Sequence, residues 1–317
     1  MKNVLYSGKN TYKANLHCHT TVSDGHHTPE EIKDLYMEKG YAIVAFTDHD
    51  VLKSHQHLTD DNFLAINGFE VAINEHSVSG RPFSDLKTYH LNFYGTRPDL
   101  MVTPALPTVA YDDINGINGY IADRAKEGFL ACYNHPYWSL QTYEDYIGLK
   151  GLFAMEIYNH NCEVEDGFCG YHPQVYDEML RNGMQLHCLS TDDNHNAYDP
   201  ASPYYDSFGG FTVINSESLS YEHVIEALQK GDFYASQGPE IYEITLEGQT
   251  LTIKCSPCES IKVYTQGRKC YTAFGSGLTT TSFKLSGNET YIRIVCCDVA
   301  GKDANSNAYW LKGQQMW

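Results

Sequence analysis

His17 and His19 are separated by one residue, just past the short run Tyr12–Leu16, and Asp24 follows five residues later. Side chains two apart on a strand share a face, so both imidazoles can aim at one centre. The same residue types recur after other apolar runs. His49 follows Tyr41–Thr47, Glu70 lies in Phe63–Ile73, His135 follows Phe129–Tyr133, and Asp193 and His195 follow Gln185–Ser190. Imidazole with carboxylate is a donor set for zinc, iron and manganese. Gathered without a cation, these groups would bring like charges and unpaired acceptors together at high cost. Eight or nine such donors exceed the needs of one ion, so the count implies two or three divalent ions (Zn, Fe or Mn). Water bridging two such ions has its pKa lowered from 15.7 to about 7, which makes a hydroxide nucleophile without a serine or cysteine.

The elements that must position these groups alternate. Thr28-Pro-Glu-Glu reads as an N-cap, a proline at the first helical position and a glutamate at the third, and Gly40 marks the end, which predicts a helix over 29–39. Apolar runs at Tyr41–Thr47, Phe63–Ile73, His90–Tyr94, Phe129–Tyr133, Leu152–Tyr158, Gln185–Ser190 and Gly210–Ile214 read as strands. Helices are expected near 117–127, 172–182 and 220–230, each followed by glycine (Gly128, Gly183, Gly231). This alternation predicts an α/β fold with a parallel sheet that closes or nearly closes into a barrel. In such barrels functional groups gather at the C-terminal strand ends, so the residues above would converge on one mouth. After Gly238-Pro239 the texture becomes short alternating strands (Ile241–Leu246, Thr250–Lys254, Ile261–Thr265, Thr281–Leu285, Tyr291–Cys297). Two domains follow: a barrel over 1–238 and a small all-β, sandwich-like domain over 239–317.

Composition supports the split. The chain has 317 residues, 42% of them hydrophobic, and a formal charge of −18. All 15 histidines lie between His17 and His223. The acidity also belongs to the first part, because residues 239–317 carry 8 basic against 7 acidic side chains. Such a balance excludes a sequence-blind nucleic-acid binder, leaving at most a short oligonucleotide end as a nucleic-acid substrate. No apolar run approaches a membrane helix or a secretory signal, so a soluble cytoplasmic protein is expected. The ten cysteines read as scattered buried thiols, Cys18 among them, because it alternates with His17 and His19 and faces the core. Cys255-Ser-Pro-Cys258, with Cys270, Cys296 and Cys297 later, resembles half of a zinc site.

Four segments in order carry a family resemblance: His17-x-His19 with Ser23-Asp24-Gly25, then Thr47-Asp48-His49, then Asn134-His135-Pro136, and last Asp193-Asn-His195. In these the chain resembles the polymerase and histidinol phosphatase (PHP) superfamily of metal-dependent phosphoesterases. The resemblance implies a distorted (β/α)7 barrel with a trinuclear metal site. One ion would take His17, His19, Glu70 and Asp193. A second would share Glu70 with His90 and His135, with His76 the competitor of His90. A third would take Asp24, His49 and His195. In the doublet Asp192-Asp193 the family spacing selects Asp193, leaving Asp192 to hydrogen-bond a ligand. The stretch Tyr291-Ile-Arg-Ile to Trp310 is similar to the β tail of carbaryl-hydrolase-type members, which opens a second substrate class.

Around this set, Asp50 is a candidate proton shuttle, and His26, Asn159, His160 and Tyr137 are candidate substrate contacts, with Tyr137-Trp138 as an aromatic wall. Arg81, Arg124 and Arg181 are the cations that an anionic substrate would seek, while His55, His57, His172 and His223 read as surface or helix residues. The leading expectation is hydrolysis of a small phosphorylated metabolite or nucleotide. Behind it stand a carboxylic or carbamate ester hydrolase using the same hydroxide, and a non-catalytic metal- or ligand-binding protein.

Overall fold

A computed structural model of the chain describes residues 2–76, 81–100, 105–165, 167 and 170–311; Cys169 lies outside them. The chain opens with strands β1 (Lys2–Ser7) and β2 (Thr11–Asn15), followed by α1 (Pro29–Glu38), β3 (Ile43–Phe46), β4 (Leu64–Asn74) and β5 (Thr88–Gly95). Next come α2 (Ile114–Glu127), β6 (Phe129–Tyr133), α3 (Tyr143–Tyr146), β7 (Leu152–Asn159), α4 (His160–Val164) and α5 (Pro173–Arg181). Then follow β8 (His187–Thr191), β9 (Phe211–Asn215), α6 (Tyr221–Lys230) and β10 (Phe233–Ser236). The remainder is all β: β11 (Ile241–Glu247), β12 (Thr250–Thr265), β13 (Tyr271–Lys284), β14 (Tyr291–Cys297), β15 (Asp303–Ser306) and β16 (Tyr309–Trp310).

Local chemistry sets the helix ends. Thr28 Oγ1 accepts from the Glu31 amide at 3.2 Å while Glu31 Oε2 accepts from the Thr28 amide at 2.8 Å, a capping box worth about 1 kcal/mol. Helices α2 and α6 end on Gly128 (φ 105°) and Gly231 (φ 74°), left-handed positions that glycine takes without strain.

Strands β2, β3 and β4 pair in parallel, as do β6, β7 and β8. The expectation of an all-parallel sheet fails at β5, which is antiparallel to both β4 and β6. A parallel pair needs a long crossover, usually a helix, and the described part of the β4–β5 connection holds only the single turn Phe83–Asp85. The two ends of this series meet where β8 runs out: the Asp193 amide donates to His17 O at 2.9 Å and the His19 amide to Asn194 O at 3.1 Å. Alternation sorts the side chains. Ala14, Ile43, Leu64, Tyr94, Cys132, Ala154, Leu189 and Ile214, one from each of β2 to β9, join a single apolar cluster with Val224 and Leu228 of α6. On the opposite faces Val44 and Phe46 meet Ile32 and Tyr36 of α1.

The C-terminal strands continue the same ladder rather than standing apart. β15 pairs with β10, and β1, the first strand of the chain, pairs with β11. Arg293 of β14, 1% exposed, is clamped by Asp177 of α5, with Nε and Nη2 at 2.6 and 2.9 Å from the two carboxylate oxygens. The strands expected separately at Thr250–Lys254 and Ile261–Thr265 are one long strand, β12. His55 and His172, expected at the surface, are buried; the His55 ring packs on Phe46 with centroids 4.7 Å apart. Among the described residues no helix is long and apolar enough to cross a membrane.

Candidate metal centre

The strand ends bring all nine expected ligands to one place. His17, His19 and Asp24 follow β2, His49 follows β3, Glu70 and His90 lie on β4 and β5, His135 follows β6, and Asp193 and His195 follow β8. Glu70 is the hub. Its Oε1 lies 3.0 Å from His90 Nδ1 and 3.5 Å from both His17 Nε2 and His135 Nε2, while its Oε2 lies 3.1 Å from His49 Nδ1 and 3.4 Å from His19 Nε2. Asp193 Oδ1 is 3.0 Å from the Nε2 atoms of both His17 and His19. Asp24 stands 3.6–3.7 Å from His19, His49 and His195. The donor atoms fall into three sets of ligand-binding size: His17, His19 and Glu70; Glu70, His90 and His135; and His19, Asp24, His49 and His195. His76, the competitor of His90, is exposed and joins none of them.

Asp193 Oδ1 and His19 Nδ1 are buried with no hydrogen-bond partner, a costly state that a cation among them relieves. Protonation shows the same conflict. Burial pushes the Glu70 carboxyl up, but His90, His17 and His49 outweigh it and hold it well below its ordinary range. Burial pushes His17 down, and Asp193, Glu70 and Glu156 overcome that to raise it well above its ordinary value. His19 goes the other way, lowered to about 4 by burial and by His195. Imidazoles and carboxylates in this alternation share protons where neutral imidazoles would bind a cation.

The backbone is shaped to match. Asp50, His135, Asp193 and Asn196 have positive φ (59°, 23°, 57° and 57°), a conformation costing about 1–3 kcal/mol at non-glycine residues and concentrated at functional sites. Asp48 holds the Asp24 loop by accepting from Thr20 N at 2.8 Å and Ser23 Oγ at 2.9 Å. Gly25 is required there, since a Cβ would collide with the His19 carbonyl.

A cavity of about 560 Å³ opens over the cluster, lined by His26, Asp50, Phe83, Trp138, Asn161 and Glu165 besides the candidate ligands. No lysine or arginine lines it among the described residues. Arg124 pairs with Glu127, Arg181 with Asp177 and Arg81 with Glu75.

A PHP-domain family model matches residues 15–308. The chain belongs to the PHP family. With its candidate metal clusters, this PHP protein is a metal-dependent hydrolase. No curated protein matches it. Similar solved structures include a two-domain protein containing a PHP-like metal-dependent phosphoesterase from Bacteroides vulgatus, at TM-score 0.49 and 16% identity over 96% of both chains. A metal-dependent phosphoesterase from Bifidobacterium adolescentis aligns at TM-score 0.38 and 13% identity, over 60% of this chain and 90% of its own. An amidohydrolase from Chromobacterium violaceum with bound sulfate and no metal aligns at 0.35 and 15%, over 57% and 87%.

Several expectations need correction in this PHP site. Asn159 is fully buried; its Nδ2 donates to Glu156 Oε2 and Asp193 Oδ2, each at 3.0 Å, so it orients carboxylates instead of facing substrate. His160 turns away from the cavity, with Nδ1 2.9 Å from the Tyr158 hydroxyl and its ring packed on Gly209. Tyr137 borders a separate groove with Tyr146 and Pro173, and Trp138 forms the aromatic wall, its ring 5.0–5.2 Å from those of His135 and His90. Asp192 hydrogen-bonds none of the ligands. It accepts from Tyr36 Oη at 2.8 Å and from the amides of residues 208–210, and burial raises it to about 7. Sequence reasoning left Glu156 without a role, yet it receives His17 Nδ1 at 2.7 Å, Thr191 Oγ1 at 2.7 Å and the His135 amide at 3.0 Å. A lone carboxylate inside the apolar run Leu152–Tyr158 was the available signal.

Proposed function

We propose that this PHP protein is a phosphoesterase that hydrolyses a small phosphorylated metabolite or nucleotide, a short oligonucleotide end included. The observation that carries the reading is the Glu70 carboxylate, within 3.5 Å of imidazole nitrogens from all three donor sets. In this reading His17, His19, Glu70 and Asp193 hold one ion, Glu70, His90 and His135 a second, and Asp24, His49 and His195 a third, each Zn, Fe or Mn. Bound there, the cations supply Lewis acidity and acidify coordinated water to a pKa of about 7.

The remaining work falls to the chain itself. Glu156 and Asn134 orient His17 and Glu70 from behind, Asn134 Nδ2 donating to Glu70 Oε1 at 2.8 Å. Trp138 walls the cavity beside His90 and His135 and excludes water there. Asp50 and His26 stand at the rim, where Asp50 can return a proton to the departing oxygen; burial raises its carboxyl, which favours that role. The architecture proposed for this work is a distorted seven-stranded β/α barrel of β2–β8 within residues 1–238, with 239–317 as the β unit and β1 attached to it by its ladder.

A carboxylic or carbamate ester is the second reading, suggested by the likeness of the tail to carbaryl-hydrolase-type members and favoured by the absence of lysine and arginine from the described cavity wall. The test is hydrolysis of p-nitrophenyl phosphate against p-nitrophenyl acetate with added manganese or zinc, for the unaltered chain and His17→Ala. Phosphate turnover lost in the variant supports the leading reading. Turnover of acetate alone replaces it with the second.

A further inference from the structure

Away from the barrel mouth, three cysteines meet in the C-terminal strands. Cys255 and Cys258 come from β12 and Cys296 from β14, all at most 1% exposed, with their sulfurs mutually within 4.8 Å. Cys270 and Cys297 do not join them. A regular strand would not make this cluster, because residues three apart point to opposite faces. Between the pairs Lys254↔Thr280 and Cys258↔Leu278, however, four steps on β12 oppose two on β13, so β12 carries two extra residues. Pro257 sits in that bulge, where it has no ladder amide to lose. The compensating excess follows on β13 between Leu278 and Phe274. Through this irregularity Cys255 and Cys258 are both buried while Pro257 between them is exposed, so both thiols face the core, and Cys296 reaches the same point from the neighbouring strand, opposite Ile261.

We propose that Cys255, Cys258 and Cys296 form a second, thiolate metal site that binds one zinc ion, separate from the histidine and carboxylate centre. Zinc takes sulfur at about 2.3 Å, which for tetrahedral angles sets sulfurs about 3.8 Å apart, within the observed spacing. Three ligands come from the chain, and the fourth position is left to a small ligand. The cluster lies in the apolar core shared with Ile244, Ile253 and Ile294, where thiolates would be costly without a cation to offset them. Such an ion would fasten β12 to β14 at the bulge, where their ladder begins only at Ser260↔Cys297.

Cobalt(II) substitution tests this on the full chain, because only sulfur ligands give the intense near-ultraviolet charge-transfer absorption and the barrel donors are nitrogen and oxygen. After metal removal under reducing conditions, the unaltered protein should gain that absorption with one equivalent of cobalt, and zinc should abolish it. His17→Ala should keep the band, whereas Cys255→Ser and Cys296→Ser should each lose it. Absence of the band in the unaltered chain overturns the proposal whatever the variants do, as does a Cys255–Cys258 disulfide found by mass spectrometry after purification under reducing conditions.

Discussion

Glu156 Oε1 lies 2.7 Å from His17 Nδ1, on the side of the imidazole opposite the Nε2 that meets Asp193. Once the ring gives up its second proton to a cation, this sets the tautomer: the proton stays on Nδ1 and the lone pair on Nε2 points into the cluster. Glu156→Gln keeps an acceptor but removes the charge that makes the ring basic. Metal affinity should fall about 10–100-fold, the usual cost of removing such a partner, with turnover falling in parallel at limiting metal. Titration with a competing chelator measures it, and unchanged affinity would leave Glu156 a purely structural carboxylate.

Metal binding should strengthen as the pH rises. His17, His135 and His195 are raised in the metal-free site, each against burial and chiefly by carboxylates, so all three hold their protons to higher pH than a free imidazole, and a cation must displace them. Each displaced proton makes apparent affinity climb about tenfold per pH unit below the raised value. His19, lowered to about 4, and His90, also lowered, are already neutral and add nothing to this slope at pH 7. The sign for stability agrees. The three raised groups stabilise the metal-free fold below about pH 6.5 and lose that contribution as the pH rises through their folded values. Metal should therefore raise the melting temperature more at pH 8 than at pH 6, and thermal scans with and without zinc at both values decide it.

Gly25→Ala should disable the site without unfolding the chain. Its methyl group would collide with the His19 carbonyl and the Thr20 amide, so the loop carrying Asp24 must move. Asp24 faces His49 and His195 across only 3.6–3.7 Å, leaving little tolerance. We expect at least a tenfold loss of turnover (about 1.4 kcal/mol), one metal fewer per chain and an unchanged far-ultraviolet spectrum. Full metal content would refute the loop's role.

The candidate cluster was legible because its signal is local. His17-x-His19, His49, His135 and the Asp193/His195 pair each follow an apolar run, and strand polarity alone sends such positions to one mouth. Glu156 and Asn159 were not, because a buried hydrogen bond to a cluster residue 139 or 34 residues away leaves no periodic trace. The reversal of β5 was equally hidden, since a strand reads the same in either direction and its short connection holds no pattern. For the same reason the pairing of β1 with β11 is invisible in the sequence, as is the meeting of Cys296 with the Cys255-x-x-Cys258 segment. Tyr137 and Trp138 were indistinguishable in sequence, and the turn after His135 decides which of them enters the cavity.

That choice between neighbours predicts a functional split. Trp138→Ala removes a ring packed on His90 and His135, so KM should rise about 2–10-fold, matching the roughly 0.5–1.5 kcal/mol of an aromatic contact. Tyr137→Ala, in the separate groove, should change neither KM nor metal content. Steady-state kinetics at saturating metal separate the two, and equal effects from both would move the substrate out of the cavity over Glu70.

The clamp between Asp177 and Arg293 makes the last prediction, which concerns stability alone. Arg293 is 1% exposed and donates from Nε and Nη2 to the Asp177 carboxylate, with Asn305 Oδ1 at 3.3 Å from Nη1 and the Tyr264 ring 4.4 Å away. Asp177→Ala leaves that guanidinium buried with its charge uncompensated, which typically costs about 3–5 kcal/mol. Replacing both partners with apolar residues of similar size should cost less than Asp177→Ala alone, because no charge is then stranded. Denaturant unfolding of the two variants reads the difference, and a double variant less stable than Asp177→Ala would mean that the ion pair, rather than the stranded charge, carries the stability.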